Sequence, residues 1–324
     1  MKFGFAIPNR GPLATRVGVI DLARRGEAHG FDFIGVSDHI VIPRSIASRY
    51  PYSDTGDFPG GDIVGQCLEQ LTTLSFLAAA TESARLLTTV MVVPYRAAVH
   101  AAKILATIDV LSEGRLDLGI GAGWMREEFE AVGAPDYDRR GRVTDEYIAA
   151  FKELWTATNP EFSGDYVSFS DIAFEPKPVQ SPHPPIWTGG ESPPALRRAG
   201  RLADTWYPIG NNPNHRLGTP ARLAEYYGRV KKHAEEAGRE PEAISLAYAA
   251  SWYDERNAQQ AEDGSRLILT GRPEQIAGDI QSLAEVGVES ILIDVLGFDL
   301  QTTSTTESAE RMDFFTREIR PLVG

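Results

Sequence analysis

At 324 residues, with 42% hydrophobic and 24% charged side chains, the chain can bury one large core and has the balance of a globular enzyme, not of a disordered or membrane-embedded protein. Its net charge of −13, from 32 basic and 45 acidic residues, argues against a nucleic-acid partner, which needs a basic footprint, yet leaves room for a local basic pocket. Cys67 is the single cysteine, which excludes an intrachain disulfide and a Cys-rich metal site.

The chain enters directly on Lys2-Phe3-Gly4-Phe5-Ala6-Ile7, with neither the charged n-region nor the long apolar run of a signal peptide. No apolar stretch approaches the ~20 residues that span a bilayer. A cytoplasmic protein with no membrane partner is the expectation. Short β-branched or aromatic runs then alternate with helical periodicity. Strands are expected at 2–7, 33–37, 86–93, 116–120, 185–188, 204–207, 245–250 and 290–295. Helical stripes run through Ala101, Ile104, Leu105, Ile108 and Leu111, stopping near Gly114, and through Val143, Tyr147, Ile148, Phe151, Leu154 and Trp155. Further stripes join Ile276, Ile280, Leu283 and Ala284, ending at Gly287, and then Met312, Phe315, Ile319 and Leu322.

Eight short, fully buried strands separated by helices specify a parallel sheet, and eight is the number that closes a barrel. The alternative is an open doubly wound sheet, with a Gly-rich phosphate loop after its first strand. Pro8-Asn9-Arg10-Gly11-Pro12 stands there instead, and its prolines lack the N–H groups such a loop uses. The expected fold is one (β/α)8 TIM-barrel domain over residues 1–324, with insertions in the loops of the strands' C-terminal face. Three long connections are assigned to that face as candidate lids and substrate walls: residues 40–65, a hairpin-like stretch at 162–172, and residues 254–269.

Ser37-Asp38-His39 closes the second strand. A carboxylate beside an imidazole at a barrel rim can anchor a cofactor and exchange a proton near neutral pH; the plain alternative is a capping Asp38 and a packed His39. A metal-dependent barrel would need ligands on several strand ends, whereas His29, His100, His183, His215 and His233 fall elsewhere, so no metal is expected. Gly119-Ile120-Gly121-Ala122-Gly123-Trp124 follows the fourth strand. Its alternate glycines admit a flat ligand or phosphate close to the backbone, or simply make a tight turn. As a nucleotide fingerprint its third glycine comes one residue early. Trp187-Thr188-Gly189-Gly190-Glu191-Ser192-Pro193-Pro194 follows the fifth strand and offers an anion free N–H groups and a hydroxyl, or an ordinary serine cap. The run from Thr88 to Tyr95 reads only as a buried strand and its exit.

Together these segments resemble the bacterial luciferase-like family of flavin and deazaflavin barrels. Residues 86–124 match along their length, through Pro94-Tyr95-Arg96, Leu111-Ser112-Glu113-Gly114-Arg115-Leu116 and the glycine run. Arg126-Glu127-Glu128-Phe129, Arg140-Gly141-Arg142-Val143-Thr144-Asp145-Glu146-Tyr147, Ile186-Trp187-Thr188-Gly189-Gly190 and Ala199-Gly200-Arg201-Leu202-Ala203-Asp204-Thr205-Trp206 continue the match. The similarity is good over about 1–210 and looser beyond.

The resemblance implies a non-prolyl cis peptide bond at Thr89–Val90, on which the tricyclic ring rests. It places Asp38, Thr89, Val90, Gly121 and Gly123 against the ring and ribityl chain, and Thr188, Gly189, Gly190 and Ser192 against the phosphate. His39 falls where some deazaflavin enzymes transfer a proton. Where sugar-phosphate dehydrogenases of the family carry a glutamate acid after the glycine run, this chain has Trp124, an aromatic wall suited to a less polar substrate. The implied activity is a coenzyme F420-dependent oxidoreductase that moves a hydride between the deazaflavin and a small organic substrate. In that scheme Asp38 holds the cofactor, His39 exchanges the proton, and Val90, Trp124 and the second-strand loop shape the substrate site. The alternative is an FMN-dependent monooxygenase that takes reduced flavin from a partner reductase, with O2. Arg44, Arg96, Arg126 and Arg197 are candidate partners for the cofactor's acidic tail, and a homodimer is implied. A barrel that lost its cofactor and only binds is a third reading; Asp38, His39, Pro94 and the Gly-Gly-Glu-Ser loop speak against it.

Overall fold

The computed structural model describes residues 1–59, 66–260, 264–296 and 304–324. Eight parallel strands alternate with helices: β1 (Lys2–Ala6), β2 (Phe33–Val36), β3 (Arg85–Thr88), β4 (Leu116–Gly121), β5 (Ile186–Gly189), β6 (Thr205–Tyr207), β7 (Ser245–Ala250) and β8 (Val288–Ile293). Each pairs with the next, and β1 pairs with β8 through Phe3 opposite Ile291, so the ring closes. The strands are apolar on both faces because both faces are covered. Phe33, Leu87, Trp187, Tyr207 and Leu292 fill the barrel's interior, while the opposite faces pack into a larger apolar layer under the helices.

The helices are α1 (Arg16–Ala28), α2 (Gln70–Ala80), α3 (Ala98–Leu111), α4 (Arg126–Ala131), α5 (Arg140–Thr156), α6 (Pro193–Leu202), α7 (Pro220–Glu236), α8 (Pro273–Val286), α9 (Thr305–Phe314) and the short α10 (Arg320–Val323). No helix among the described residues is long and apolar enough to cross a membrane.

Three sequence expectations change. The third strand is not continuous over 86–93: pairing stops at Thr88 and resumes at Met91–Val92, and the Thr89–Val90 bond between them is cis. The last strand starts at Val288, two residues before the expected 290. Gly287, at φ 103°, ends α8 in the left-handed region and hands the chain straight to the strand, whose exposed Glu289 masks its start. The hairpin exists, with Phe162–Ser163 antiparallel to Ser168–Phe169, but it does not leave a strand's C-terminus. It follows α5, which runs antiparallel to the strands and carries the chain to the other end of the barrel. Glu146 of α5 then accepts the N–H groups of Tyr166 and Val167 at 2.7 and 2.8 Å and holds the hairpin against the helix.

Candidate active site

The C-terminal ends of β1 to β6 surround a cavity of ≈ 510 Å³, within the range of small-ligand sites. Residues from each strand exit reach its wall: Arg10 after β1, Asp38 and His39 after β2, Thr89 and Val90 after β3, Gly121 and Gly123 at β4, Gly189 and Gly190 at β5, and Tyr207 at β6. The sequence-predicted Ser192 and Trp124 join them. Thr188 does not. Trp187 points into the barrel, so its neighbour points outward under strand alternation, and the Thr188 hydroxyl is buried there with no partner among the described residues.

Val90 forms a ledge in this cavity, flanked by two glycines. A Cβ placed on Gly121 would stand 2.8 Å from one methyl of Val90, and one on Gly189 would stand 3.6 Å from the other. Gly123 has φ +84°, and a Cβ there would collide with the Phe129 ring at 2.6 Å. The spacing of the glycine run therefore serves clearance beside Val90 and a left-handed turn over Phe129.

At one end stands His39. Its Nδ1 lies 2.8 Å from Oε2 of Glu128, a carboxylate that is fully buried. The Tyr95 hydroxyl donates to the same oxygen at 2.9 Å, and the Ile40 and Val41 N–H groups donate to Oε1 at 2.7 and 3.2 Å. With other donors already on both oxygens, Glu128 acts as an acceptor, so Nδ1 of His39 carries the hydrogen and Nε2 is left for the cavity. Burial, reinforced by Glu128, pushes the Tyr95 pKa well above its ordinary value and keeps its proton on. Sequence reasoning singled out His39 alone.

Asp38 lines the wall, and its carboxylate is committed to protein partners. Its carboxylate takes both arms of Arg96 at 2.8 Å and the Val92 N–H at 2.8 Å. Arg96 also binds Glu69. Although burial pulls against it, these carboxylates raise the Arg96 pKa above normal. Asp38 thus ties the exit of β2 to the strand segment just beyond Val90.

The opposite end is built by the β5 exit and the start of α6. Ser192 is the N-cap residue of α6, but its hydroxyl makes no capping bond and among the described residues stays uncommitted in the wall. Pro193 and Pro194 remove two of the free N–H groups expected of this turn; Ala195, also in the wall, retains its own. Glu191 turns inward. It is 1% exposed, accepts the Ile209 N–H and the Asn212 side-chain amide at 2.8 Å each, and burial pushes its pKa up to about 7.

The second-strand loop covers the mouth, apart from residues 60–65, which lie outside the described ones. Tyr50 packs edge-on against Trp124 and Phe58 at 5.1 and 5.4 Å, Phe58 and Trp124 lie tilted at 5.3 Å, and Phe58 meets the His39 ring at 5.1 Å. Glu127 anchors this loop by accepting the Ala47 and Ser48 N–H groups at 2.7 and 3.0 Å. The loop after β7, described except for 261–263, contributes nothing to the wall.

None of Arg44, Arg96, Arg126 and Arg197 reaches the wall. Arg96 is locked as described, Arg126 pairs with Asp138 at 2.6 Å, and Arg44 and Arg197 are exposed elsewhere. The arginines in the wall are Arg10, Arg140 and Arg198. Arg198 binds Asp145 and the Gly141 carbonyl; Arg140 donates to the Gly123 and Tyr137 carbonyls at 3.1 and 3.0 Å.

Comparison with known proteins places this geometry in a family. The family profile described as luciferase-like monooxygenase matches residues 1–268. An FMNH2-dependent dimethylsulfone monooxygenase of Pseudomonas putida is 32% identical, with 79% of this chain and 78% of that protein covered. The monooxygenase RslO1 of Streptomyces bottropensis superposes with a TM-score of 0.76 at 21% identity, covering both chains fully. An F420-dependent secondary alcohol dehydrogenase bound to an F420–acetone adduct superposes with a TM-score of 0.75 at 19% identity, over 100% of this chain and 99% of the other.

Proposed function

The chain belongs to the luciferase-like monooxygenase family and is an oxidoreductase, and from that premise we propose a monooxygenase that acts on a small organic substrate with O2 and reduced FMN supplied by a partner reductase. The observation that carries this reading is the two-ended cavity, with an uncommitted serine at a helix start on one side of Val90 and an oriented histidine on the other. The residues fit such a group. Side chains at Gly121 or Gly189 would fill the space beside Val90 that a flat ring needs, and Ser192 with the Ala195 N–H suits a phosphate at the positive end of α6.

FMN is supported over a deazaflavin by two observations. The 32% identical relative is named for its use of FMNH2. The arginines expected to meet an acidic cofactor tail stand outside the wall, and the other two besides Arg10 that line it are engaged with Asp145 and backbone carbonyls.

When bound, the reduced flavin would activate O2 for transfer of one oxygen atom to the substrate. In this reading Val90, Gly121 and Gly189 support the ring, and Ser192 holds the phosphate. His39 gives or takes the proton through Nε2, and Glu128 keeps that nitrogen aimed at the cavity. Tyr50, Phe58 and Trp124 keep water away from the reacting atoms.

Hydride transfer from coenzyme F420 is the second reading. It is favoured by His39 itself, since a positioned proton donor suits reduction of a carbonyl or enone. Anaerobic titration of the purified protein with reduced FMN and with reduced coenzyme F420 tests the choice. Reduced FMN is expected to bind at least about tenfold more tightly; saturable F420 binding with no affinity for FMN overturns the assignment.

A further inference from the structure

The cavity wall holds three arginines and one carboxylate, Asp38, which Arg96 already neutralises. Arg198 is likewise paired, with Asp145, so in a chain of net charge −13 the positive charge left in this cleft is that of Arg10 and Arg140. Of the three arginines, Arg10 differs. Among the described residues its guanidinium has no hydrogen bond and no ion pair; it lies over the Phe58 ring, 4.8 Å from its centroid. Burial pushes its pKa down, as for a cation that has lost water and gained no counter-charge.

Its position is fixed from behind. Asn9 is 2% exposed and donates to the Ser37 and Leu68 carbonyls at 2.8 and 3.3 Å, while the Ser37 hydroxyl donates back to Asn9 at 2.7 Å. Gly11 donates to the Gln66 carbonyl at 3.3 Å, and Arg10 itself bridges to Cys67. The backbone on both sides of Arg10 is thus pinned to the exit of β2 and the chain before α2. Arg10 also stands at the histidine end. Phe58 touches both Arg10 and the His39 ring, whereas Ser192 and α6 follow β5, four strands away around the ring from β1.

We propose that Arg10 binds an oxyanion, a carboxylate or a group of like charge and shape, carried by the substrate. Phe58, Tyr50 and Trp124 take the apolar or aromatic body attached to it. The substrate class is then a small organic monoanion, and Arg10 is the specificity-determining residue. A guanidinium offers a carboxylate two parallel N–H donors, and the uncharged amide of the same shape leaves Arg10 without a counter-charge. The proposal rests on the reading that cofactor and substrate share this cavity.

Calorimetric titration with benzoate and hexanoate, each against its neutral amide, tests it. Wild-type protein should prefer each acid by about tenfold or more. Arg10→Met should abolish the preference, and Arg10→Lys should retain part of it. Reduced FMN affinity, measured in parallel, should stay within about twofold in both variants. No acid preference in the wild type, or a preference that survives in Arg10→Met, overturns the proposal. Loss of FMN affinity alongside acid affinity also overturns it, by moving Arg10 to the cofactor. Should Arg10→Met lower the melting temperature, Arg10→Lys and the wild-type acid–amide ratio still decide. Failure of the wild type to bind FMN, with the acid preference intact, would sink the flavin reading and leave the anion site standing.

Discussion

His39 and Glu128 are 89 residues apart in sequence, yet Nδ1 of one lies 2.8 Å from Oε2 of the other, below the barrel mouth. The contact is what separates a packed histidine from a working one. A ring whose one nitrogen is held by a buried acceptor presents the other in a fixed direction.

Glu128→Gln tests that relationship. The amide keeps the volume and one acceptor oxygen for the Ile40 and Val41 N–H groups, but turns an NH2 toward His39 and Tyr95. The ring must then rotate or change tautomer. With the proton-transfer role proposed for His39, kcat should fall by roughly 10²-fold, within the range of general acid–base effects. Reduced FMN affinity should hold, and the pH profile of kcat should move. Equal losses in kcat and FMN affinity with an unmoved profile would make Glu128 merely structural.

Asp38 and Arg96 form the second buried pair, with side chains 0% and 10% exposed. Removing one partner from such a pair leaves an uncompensated buried charge, at about 3–5 kcal/mol. Asp38→Ala should lie near 3 kcal/mol, because Glu69 still serves Arg96 while the Val92 N–H loses its acceptor. Urea denaturation monitored by circular dichroism measures it. A loss below about 1 kcal/mol would show that the pair barely exceeds its own desolvation.

How these parts read in the sequence differs for physical reasons. The barrel was legible because short apolar runs and period-3.6 helical stripes are local patterns that alternate along the chain. His39, Gly121 and Gly190 were legible because strand ends on one face of a barrel converge. Thr188 lies outside the cavity wall, and alternation from Trp187 already pointed it outward. Glu128 sits beside Glu127 in one short helix, and sequence cannot say that one is fully buried under a histidine while the other pins a loop. Arg10 was passed over because its segment was weighed for its prolines, and a lone arginine carries no sign of missing a partner.

Glu191 gives a pH signature. Its folded pKa of about 7 lies above its ordinary 4.5, with burial as the main cause. Between these values the folded state retains a proton that the unfolded state has released, so stability falls as pH rises. The contribution is full below about pH 4.5 and is lost through pH 7, by roughly 3 kcal/mol. Glu191→Gln, neutral at every pH, should flatten that slope. Melting temperatures of both proteins from pH 4.5 to 8 provide the check; parallel curves would place the proton elsewhere.

Gly121 tests the ledge without touching a charge. Its Cβ would approach a Val90 methyl to 2.8 Å, tighter than real Cβ contacts, although its backbone lies outside the left-handed region. Valine there should push into the space assigned to the flat ring, since the Val90 side has no room to give. Reduced FMN affinity should fall by at least about tenfold. The clash with Val90 should also lower the melting temperature somewhat, so benzoate binding serves as the readout that the variant is folded. Benzoate binding at Arg10 should persist, since that residue follows β1, three strands from β4 around the ring. A Gly121→Val protein that binds reduced FMN as tightly as the wild type would show that the ring lies elsewhere in the cleft.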